Sequence, residues 1–244
     1  MTIVLMLGSG PNVMQACEFA RGRFDAIVTI NNAWQVRPDW DYLVHPEDFP
    51  ADRRPAAPTQ GQQIITASAF VPAQNAYGGF VYAGGTMAFT ASYWALHALR
   101  PRVIAYLGCD MVYPSAGPTH FYGTGSPDPL RTDVTLRSLE AKAARLQILA
   151  ARQGCALVNL GTGPSRLVFP RSGLAGLADV TPLDFNGKAV DVARRAEEAL
   201  GYFVPSGRYW EEAARFDPAA IDRIDALWLR AAAVRSALPS EKAA

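Results

Sequence analysis

Apolar runs alternate with helical patterns along most of the chain. Apolar runs predict strands at residues 3–7, 25–30, 42–45, 63–67, 102–107 and 156–160. Between them, residues 12–21 and residues 132–153 show apolar positions at helical spacing. Strands that alternate with helices of this length are joined by right-handed crossovers and form parallel sheets. The pattern therefore predicts an α/β protein with a mainly parallel sheet flanked by helices.

The alternation stops after residue 183, where two helical patterns follow. One covers residues 187–200, and the other begins at Asp217, an N-cap residue followed by Pro218 at the first helical position. The second pattern has one apolar stripe, formed by Ile221, Ile224, Trp228, Ala231 and Val234. This stripe packs on the core or meets a partner helix. We expect a Rossmann-like domain over residues 1–183 and a helical C-terminal extension over residues 184–244 that packs on it.

Residues 55–99 contain no Asp, Glu, Lys or Arg, which raises the question of a membrane span. A span needs about 20 predominantly apolar residues. Polar and glycine positions interrupt the most apolar part, at Gly84, Gly85, Thr86, Thr90, Ser92 and His97. The stretch therefore predicts a helix buried in the domain and no transmembrane segment. Thr86 is placed to cap that helix, and His97 is expected in the core.

The charge balance and the cysteines narrow the class of partner and the compartment. The 23 basic and 22 acidic residues leave a net charge of +1, so the chain lacks the electrostatic footprint of a general nucleic-acid binder. We expect a small-molecule partner and no nucleic acid, and a homo-oligomer stays open. Cys17, Cys109 and Cys155 lack paired spacing and are expected to be buried free thiols. No basic leader precedes the first apolar run, so a cytoplasmic location is expected.

Ligands of open parallel sheets bind at the carboxyl ends of the strands, so the loops there carry the candidate chemistry. Gly8, Ser9 and Gly10 follow the first strand. Glycines let the backbone approach a ligand closely, and the next helix offers free amides to a phosphate or ribose. The segment is neither the dinucleotide fingerprint nor a P-loop. A plain tight turn is the alternative interpretation.

Polar residues also end the second and third predicted strands. Asn31 and Asn32 follow the second, and their amides suit a ribose, a base edge or a sugar hydroxyl; the alternative is turn formation. His45 ends the third strand and suits a ligand contact. Asp39 and Asp41 match a metal-binding Asp-x-Asp pattern, but they precede that strand. They therefore lie at the wrong end of the sheet, and no metal site is predicted.

The loop after the fifth run has the densest candidate chemistry. Asp110, Tyr113, His120 and Tyr122 fall within thirteen positions on a segment rich in glycine and proline. Such loops carry function more often than cores do. His120 suits a general acid or base near neutral pH, and the two tyrosines can donate hydrogen bonds to a leaving phosphate. The alternative is an ordinary loop histidine.

The order of these motifs resembles the bacterial lipo-oligosaccharide sialyltransferases over residues 2–168. These are metal-independent, inverting enzymes that use CMP-sialic acid. The resemblance implies that the nucleotide is held by Gly8, Ser9, Gly10, Asn31, Asn32, His45, Gly85 and Thr86. It further implies that Asp110 holds the ribose or cytosine side and that Tyr113 and Tyr122 steady the leaving phosphate. His120 would deprotonate the acceptor hydroxyl.

Some positions depart from that family's pattern. The family has Asn at the positions of Ser9 and His45, a longer segment before its histidine, and a second histidine where this chain has Thr124. The shorter segment and Thr124 favour an alternative, a nucleotide-binding module without turnover.

A second resemblance is to the 6-hydroxymethylpterin diphosphokinase-like domains. It would imply diphosphate transfer from ATP with magnesium and clustered carboxylates, for which Asp110 and Asp128 are the nearby candidates.

The interpretation that unites these residues is a glycosyltransferase-like enzyme. Residues 1–183 would bind the nucleotide and carry catalysis. The enzyme would move a sugar, sialic acid or a related one, from a nucleotide-activated donor to a hydroxyl of a glycan or other small acceptor. No metal and no cofactor beyond the donor is expected, and the resemblance implies a CMP-linked donor.

Overall fold

A computed structural model describes residues 2–125 and 131–233. Its six strands form one parallel sheet in the order β4-β3-β2-β1-β5-β6. The strands are β1 Ile3–Leu7, β2 Ala26–Ile30, β3 Tyr42–Val44, β4 Gln63–Ile65, β5 Val103–Leu107 and β6 Ala156–Asn159. All six apolar runs are therefore strands. The predicted class is confirmed: the protein has an α/β Rossmann-like fold with C-terminal helices.

The helices differ in type and length from the sequence prediction at two places. The α-helices are α1 Ala67–Asn75, α2 Phe80–Ala83, α3 Met87–Ala98, α4 Leu139–Ala151, α5 Gly187–Leu200 and α6 Pro218–Ala232. Residues 12–21 were expected to be one helix, but the structure has a 3-10 helix, Pro11–Glu18. It ends because Phe19 turns to extended backbone and packs against the core. Residues 132–153 divide into a short 3-10 turn, Val134–Leu136, and α4.

Helices cover both faces of the sheet, which is why its strands read as nearly continuous apolar runs. Successive residues of a strand point to opposite faces. Val4 and Met6 pack with α3 and α4 on one face, whereas Leu5 and Leu7 pack with the 3-10 helix Pro11–Glu18 on the other. All four side chains are fully buried. The core is therefore two layers separated by the sheet.

The uncharged residues 55–99 contain β4, α1, α2 and α3, and α3 is the helix that lies in the core as predicted. Thr86 is its N-cap and accepts a hydrogen bond from the Phe89 amide at 3.3 Å. The prediction for His97 was wrong: this residue lies in the last turn and is exposed, because the helix leaves the core before its final residues. Every helix in the described ranges is too short or too polar to cross a membrane.

Two of the three predicted buried thiols are buried. Cys109 and Cys155 lie in the core, and all three described cysteines are free thiols. Cys17 is exposed, contrary to the prediction. It lies on the 3-10 helix Pro11–Glu18, and two other residues of that helix, Val13 and Ala16, fill the positions that face the core. A 3-10 helix has three residues per turn, so the residue next to Ala16 faces outward.

The C-terminal helices pack on α4 and on each other. The predicted stripe of α6 is buried in a third apolar cluster, at Ile221, Ile224, Trp228 and Ala231; Val234 lies outside the described residues. Two buried ion pairs join these helices to α4. Lys142 Nζ lies 2.8 Å from Asp225 Oδ1, and Arg145 Nε lies 2.7 Å from Glu197 Oε1. Each buried charge is thereby neutralised, as an ionic group in the core requires.

Candidate functional site

A cleft of about 580 Å³ opens at the carboxyl ends of β1, β2 and β5. After β1 the chain adds β2, β3 and β4 on one side and then returns to place β5 on the other. Ligands of open parallel sheets bind at such a reversal of strand order. Ten of the twelve predicted site residues line the cleft: Gly8, Ser9, Gly10, Asn31, Asn32, Thr86, Asp110, Tyr113, His120 and Tyr122.

The glycines after β1 face the loop after β5. A Cβ atom at Gly8 would lie 2.3 Å from the Gly108 carbonyl oxygen, and one at Gly10 would lie 2.9 Å from it. The Gly10 amide donates a hydrogen bond to the same oxygen at 2.8 Å. Gly108 itself has a φ of +74°, which favours glycine. The glycines therefore allow two strand loops to touch, a structural reason that is independent of any ligand.

Asp110, in the loop after β5, is linked by hydrogen bonds to the segment after β1 and to the end of β6. Its Oδ2 accepts a hydrogen bond from Asn12 Nδ2 and its Oδ1 accepts one from Asn159 Nδ2, both at 2.8 Å. Arg171 lies 3.9 Å from the same carboxylate. Each carboxylate oxygen keeps a further lone pair for a ligand hydroxyl. Neither asparagine was among the predicted site residues, although Asn12 follows the glycine turn and Asn159 is a polar residue at the end of an apolar run.

Asn31 has an unusual backbone and an unsatisfied side chain. Its φ is +51°, in the left-handed region, and its buried Oδ1 has no hydrogen-bond partner among the described residues. Residues other than glycine are uncommon in the left-handed region, although asparagine tolerates it better than most, and an unpaired buried polar atom calls for a structural or functional explanation. Asn32, the next residue, is buried and belongs to the 3-10 helix Asn31–Val36. The wall of the cleft thus contains a buried acceptor without a donor in the part of the chain that the structure describes.

His120 lies on a tight turn that is attached to the first loop. Its amide and carbonyl exchange hydrogen bonds with Gly123 at 2.9 and 3.1 Å, and the Phe121 amide donates to the Ser9 carbonyl at 3.0 Å. The imidazole stacks on Tyr122, with ring centroids 4.9 Å apart, and Tyr113 lies 6.0 Å away. The three side chains predicted to carry catalysis are therefore neighbours.

The surroundings of His120 favour a neutral ring. Burial lowers the pKa of this histidine below its ordinary value. Its Nδ1 lies 2.8 Å from Thr119 Oγ1, which accepts from the Gly125 amide and can donate to the Gly125 carbonyl. We infer from this network that Nδ1 carries the proton and donates to Thr119. The Nε2 lone pair is then available as a base.

The beginning of α3 supplies positive potential to the cleft. Thr86, Met87 and Ala88 line it. The amides of Met87 and Ala88 precede the first intrahelical hydrogen bond, and the N-terminus of a helix attracts anions. Arg53 also lines the cleft, and its guanidinium has no ion-pair partner in the part of the chain that the structure describes. A phosphate group would find complementary charge here.

Two predicted site residues, His45 and Gly85, do not line the cleft. His45 is 3% exposed, and its Nδ1 lies 2.8 Å from the Pro46 carbonyl oxygen. Its ring packs on Phe49, which does line the cleft. Gly85 faces the C-terminal region instead, where a Cβ atom would lie 2.4 Å from the Tyr209 hydroxyl. Both residues therefore lie behind the cleft wall.

The carboxylates considered for a metal have other partners. Asp39 pairs with Arg37 at 2.6 Å and Asp41 with Arg21 at 2.9 Å, both before β3 as predicted. Within residues 2–125 and 131–233, no three His, Cys, Asp or Glu side chains are grouped as metal ligands would be. Asp128, the second candidate for a magnesium site, lies outside the described residues.

No protein-family model, curated protein or solved structure matches the chain. The fold and the site therefore define the class of the protein. It is a Rossmann-like α/β protein with a polar cleft at the point where the strand order reverses.

Proposed function

We propose that the cleft binds a nucleotide-activated sugar and transfers the sugar to an acceptor hydroxyl, with His120 as the general base. The observation that supports this most directly is the position of His120, whose ring lines the cleft and stacks on Tyr122, and whose pKa is lowered by burial. His120 lies on a loop hydrogen-bonded to the first strand loop, in the cleft that also contains the positive end of α3. A base and an anion-binding element in one cleft suit transfer from a phosphate leaving group.

The donor would be held by its phosphate and its nucleoside. The amides of Met87 and Ala88, with the Arg53 guanidinium, suit the phosphate because they present donors and positive charge. Asn31 lines the cleft, and its side-chain amide suits a ribose hydroxyl or an exocyclic amine when the enclosed, unpaired Oδ1 turns toward the ligand. A CMP-linked donor that carries sialic acid or a related sugar is the choice that the resemblance favours.

The transfer would be a single displacement. His120 Nε2 takes the proton of the acceptor hydroxyl while the acceptor oxygen attacks the anomeric carbon. The bond from that carbon to the phosphate oxygen breaks, and the nucleotide leaves with the electron pair. Hydroxyl groups of Tyr113 and Tyr122 donate hydrogen bonds to the departing phosphate.

The free thiols of Cys109 and Cys155 suit a reducing compartment such as the cytoplasm.

A binding module without turnover is the second candidate. It is favoured by the structural reasons found for residues that the resemblance assigns to the ligand. Gly8 and Gly10 serve loop packing, and both oxygens of Asp110 accept amide donors. Those residues would be needed in a folded module that only binds. The two candidates differ in whether His120 affects turnover.

Nucleotide screening tests the proposal. We expect CMP to raise the melting temperature without magnesium, because a ligand that binds only the folded state stabilises it by about 2.7 kcal/mol at a hundredfold excess over Kd. UDP, GDP and ATP, each with and without magnesium, are the comparisons. Strictly magnesium-dependent binding of ATP would favour the diphosphokinase-like alternative. No stabilisation by any nucleotide would contradict both enzyme proposals and the binding module.

A further inference from the structure

A second cavity, of about 500 Å³, lies between the loop after α1, the C-terminal half of α4, and α5. It shares no lining residue with the cleft. Helix α4 follows β5, whose carboxyl end is at the cleft, and its last residues lead back to the amino end of β6. The second cavity is therefore at the end of α4 that faces away from the cleft. Its size is in the range of small-molecule sites.

The floor of this cavity is a rigidly held arginine. The side chain of Arg145 is 3% exposed, and its Nε and one terminal nitrogen bond the two Glu197 oxygens at 2.7 and 2.9 Å. Its other terminal nitrogen donates to the Tyr93 hydroxyl at 3.0 Å. Gly78, with a φ of +97°, keeps the adjacent space open, since a Cβ atom there would lie 2.9 Å from the guanidinium. The floor is thus polar and preformed.

The wall and rim present polar groups without partners. Arg152 follows α4 and Arg194 lies on α5; both are exposed, and neither has an ion-pair partner within the two described ranges. Asn75 donates through Nδ2 to the Pro205 carbonyl at 2.7 Å, but its buried Oδ1 accepts no hydrogen bond from any described residue. Because this oxygen is enclosed by the protein, a ligand hydroxyl reaches it only when the Asn75 side chain turns toward the cavity that the residue lines.

We propose that this cavity is a second ligand site, for a small molecule of the sugar-phosphate class. Two planar guanidinium groups offer more N–H donors than the two oxygens of a carboxylate can accept. A phosphate monoester has three terminal oxygens and therefore suits the pair better. Arg152 and Arg194 hold the phosphate, and the Asn75 side chain, turned toward the cavity, accepts from a sugar hydroxyl. Because Arg145 neutralises Glu197, the remaining charges are the two rim arginines and Glu198. Their sum is positive, which suits an anion.

Titrations of the folded protein with inorganic phosphate, glucose 6-phosphate and glucose test the site. Amide NMR signals of Gly78 and Gly201 report on this cavity, and those of Gly10 and Gly108 report on the cleft. We expect saturable shifts at Gly78 and Gly201 with both phosphates, several-fold tighter for glucose 6-phosphate, and none with glucose. Shifts confined to the cleft signals would overturn the proposal, as would tighter binding of citrate than of glucose 6-phosphate.

Charge-removing variants identify the residues that bind the phosphate. We expect Arg152→Gln and Arg194→Gln each to weaken binding of glucose 6-phosphate by about tenfold or more, the usual effect of losing hydrogen bonds to a charged group. Arg195→Gln is the matched control, because Arg195 is exposed on the same helix but does not line the cavity. It should change affinity by less than about twofold, since an exposed arginine that does not line the cavity makes no hydrogen bond to the ligand and its charge is screened by salt. Equal weakening in all three variants would show general charge attraction and refute the site.

Discussion

The carboxylate of Asp110 offers the sharpest test of how the cleft is held together. Asp110→Ala removes the acceptor of two amide groups, Asn12 Nδ2 and Asn159 Nδ2, each at 2.8 Å in a partly buried place. A hydrogen bond to a charged group contributes about 1.5–3 kcal/mol, and a partly exposed donor recovers some of this from water. The expected loss in the free energy of unfolding is therefore about 2–4 kcal/mol. Asp110→Asn should lower the free energy of unfolding by less, because the asparagine side chain keeps one oxygen that can accept a hydrogen bond from Asn12 or Asn159.

Urea denaturation gives the free energies of unfolding for this comparison. Asp184→Asn is the control, because Asp184 is exposed and has no ion pair among the described residues. A double variant, Asn12→Ala with Asp110→Ala, should cost less than the sum of the single changes, since both remove the same bond. Full additivity, or an Asp110→Ala loss below about 0.5 kcal/mol, the range of ordinary surface changes, would refute the view of Asp110 as the link between the loops.

Four further expectations concern the cleft. His120→Ala should lower turnover by about two to four orders of magnitude while nucleotide affinity, measured by calorimetry on the same preparation, stays within a few fold; unchanged turnover would exclude His120 as the base. Because burial lowers the pKa of His120, the acid limb of kcat/KM should lie below pH 6.5, and an acid limb above that value would contradict the neutral ring. Because the pKa of His120 is lower in the folded state, protonation of this histidine at acid pH favours the unfolded state. The free energy of unfolding should therefore rise between acid pH and about pH 6.5, and His120→Gln should reduce that rise in denaturation curves. Asn31→Gly removes the strain of a φ of +51° and an unpaired acceptor, so the free energy of unfolding should not fall. Nucleotide affinity should fall about tenfold, and an unchanged affinity would show that Asn31 does not contact the nucleotide.

Much of the fold follows from the sequence because its signals are local. Each strand is a short apolar run, and the caps Thr86 and Asp217 lie where the sequence placed them. The carboxyl ends of parallel strands share one edge, so residues such as Asn31 and Asp110 could be assigned to one site without knowing the strand order.

The partners within the site depend on tertiary contacts that no local pattern encodes. Asn159 meets Asp110 only because β6 pairs with β5 in one particular register. Gly85 turned out to face Tyr209, which lies more than a hundred positions later. His45 ends its strand as expected, yet the following turn places Phe49 against its ring. Helix α3 is apolar on nearly all sides, so its pattern did not show that His97 reaches solvent.

The contact between the loops of Gly8 and Gly108 has a consequence for folding during synthesis. Asn12 and Asp110 are 98 positions apart, so no part of the cleft can close until β5 has left the ribosome. Until then β1 is an edge strand, because the backbone groups that pair with β5 have no partner. Its residues from Ile3 to Leu7 are all apolar. Such edges pair readily with other chains. A nascent chain stalled before residue 103 should therefore aggregate or recruit a chaperone, and completion of the ligand site and protection of this edge occur in the same event.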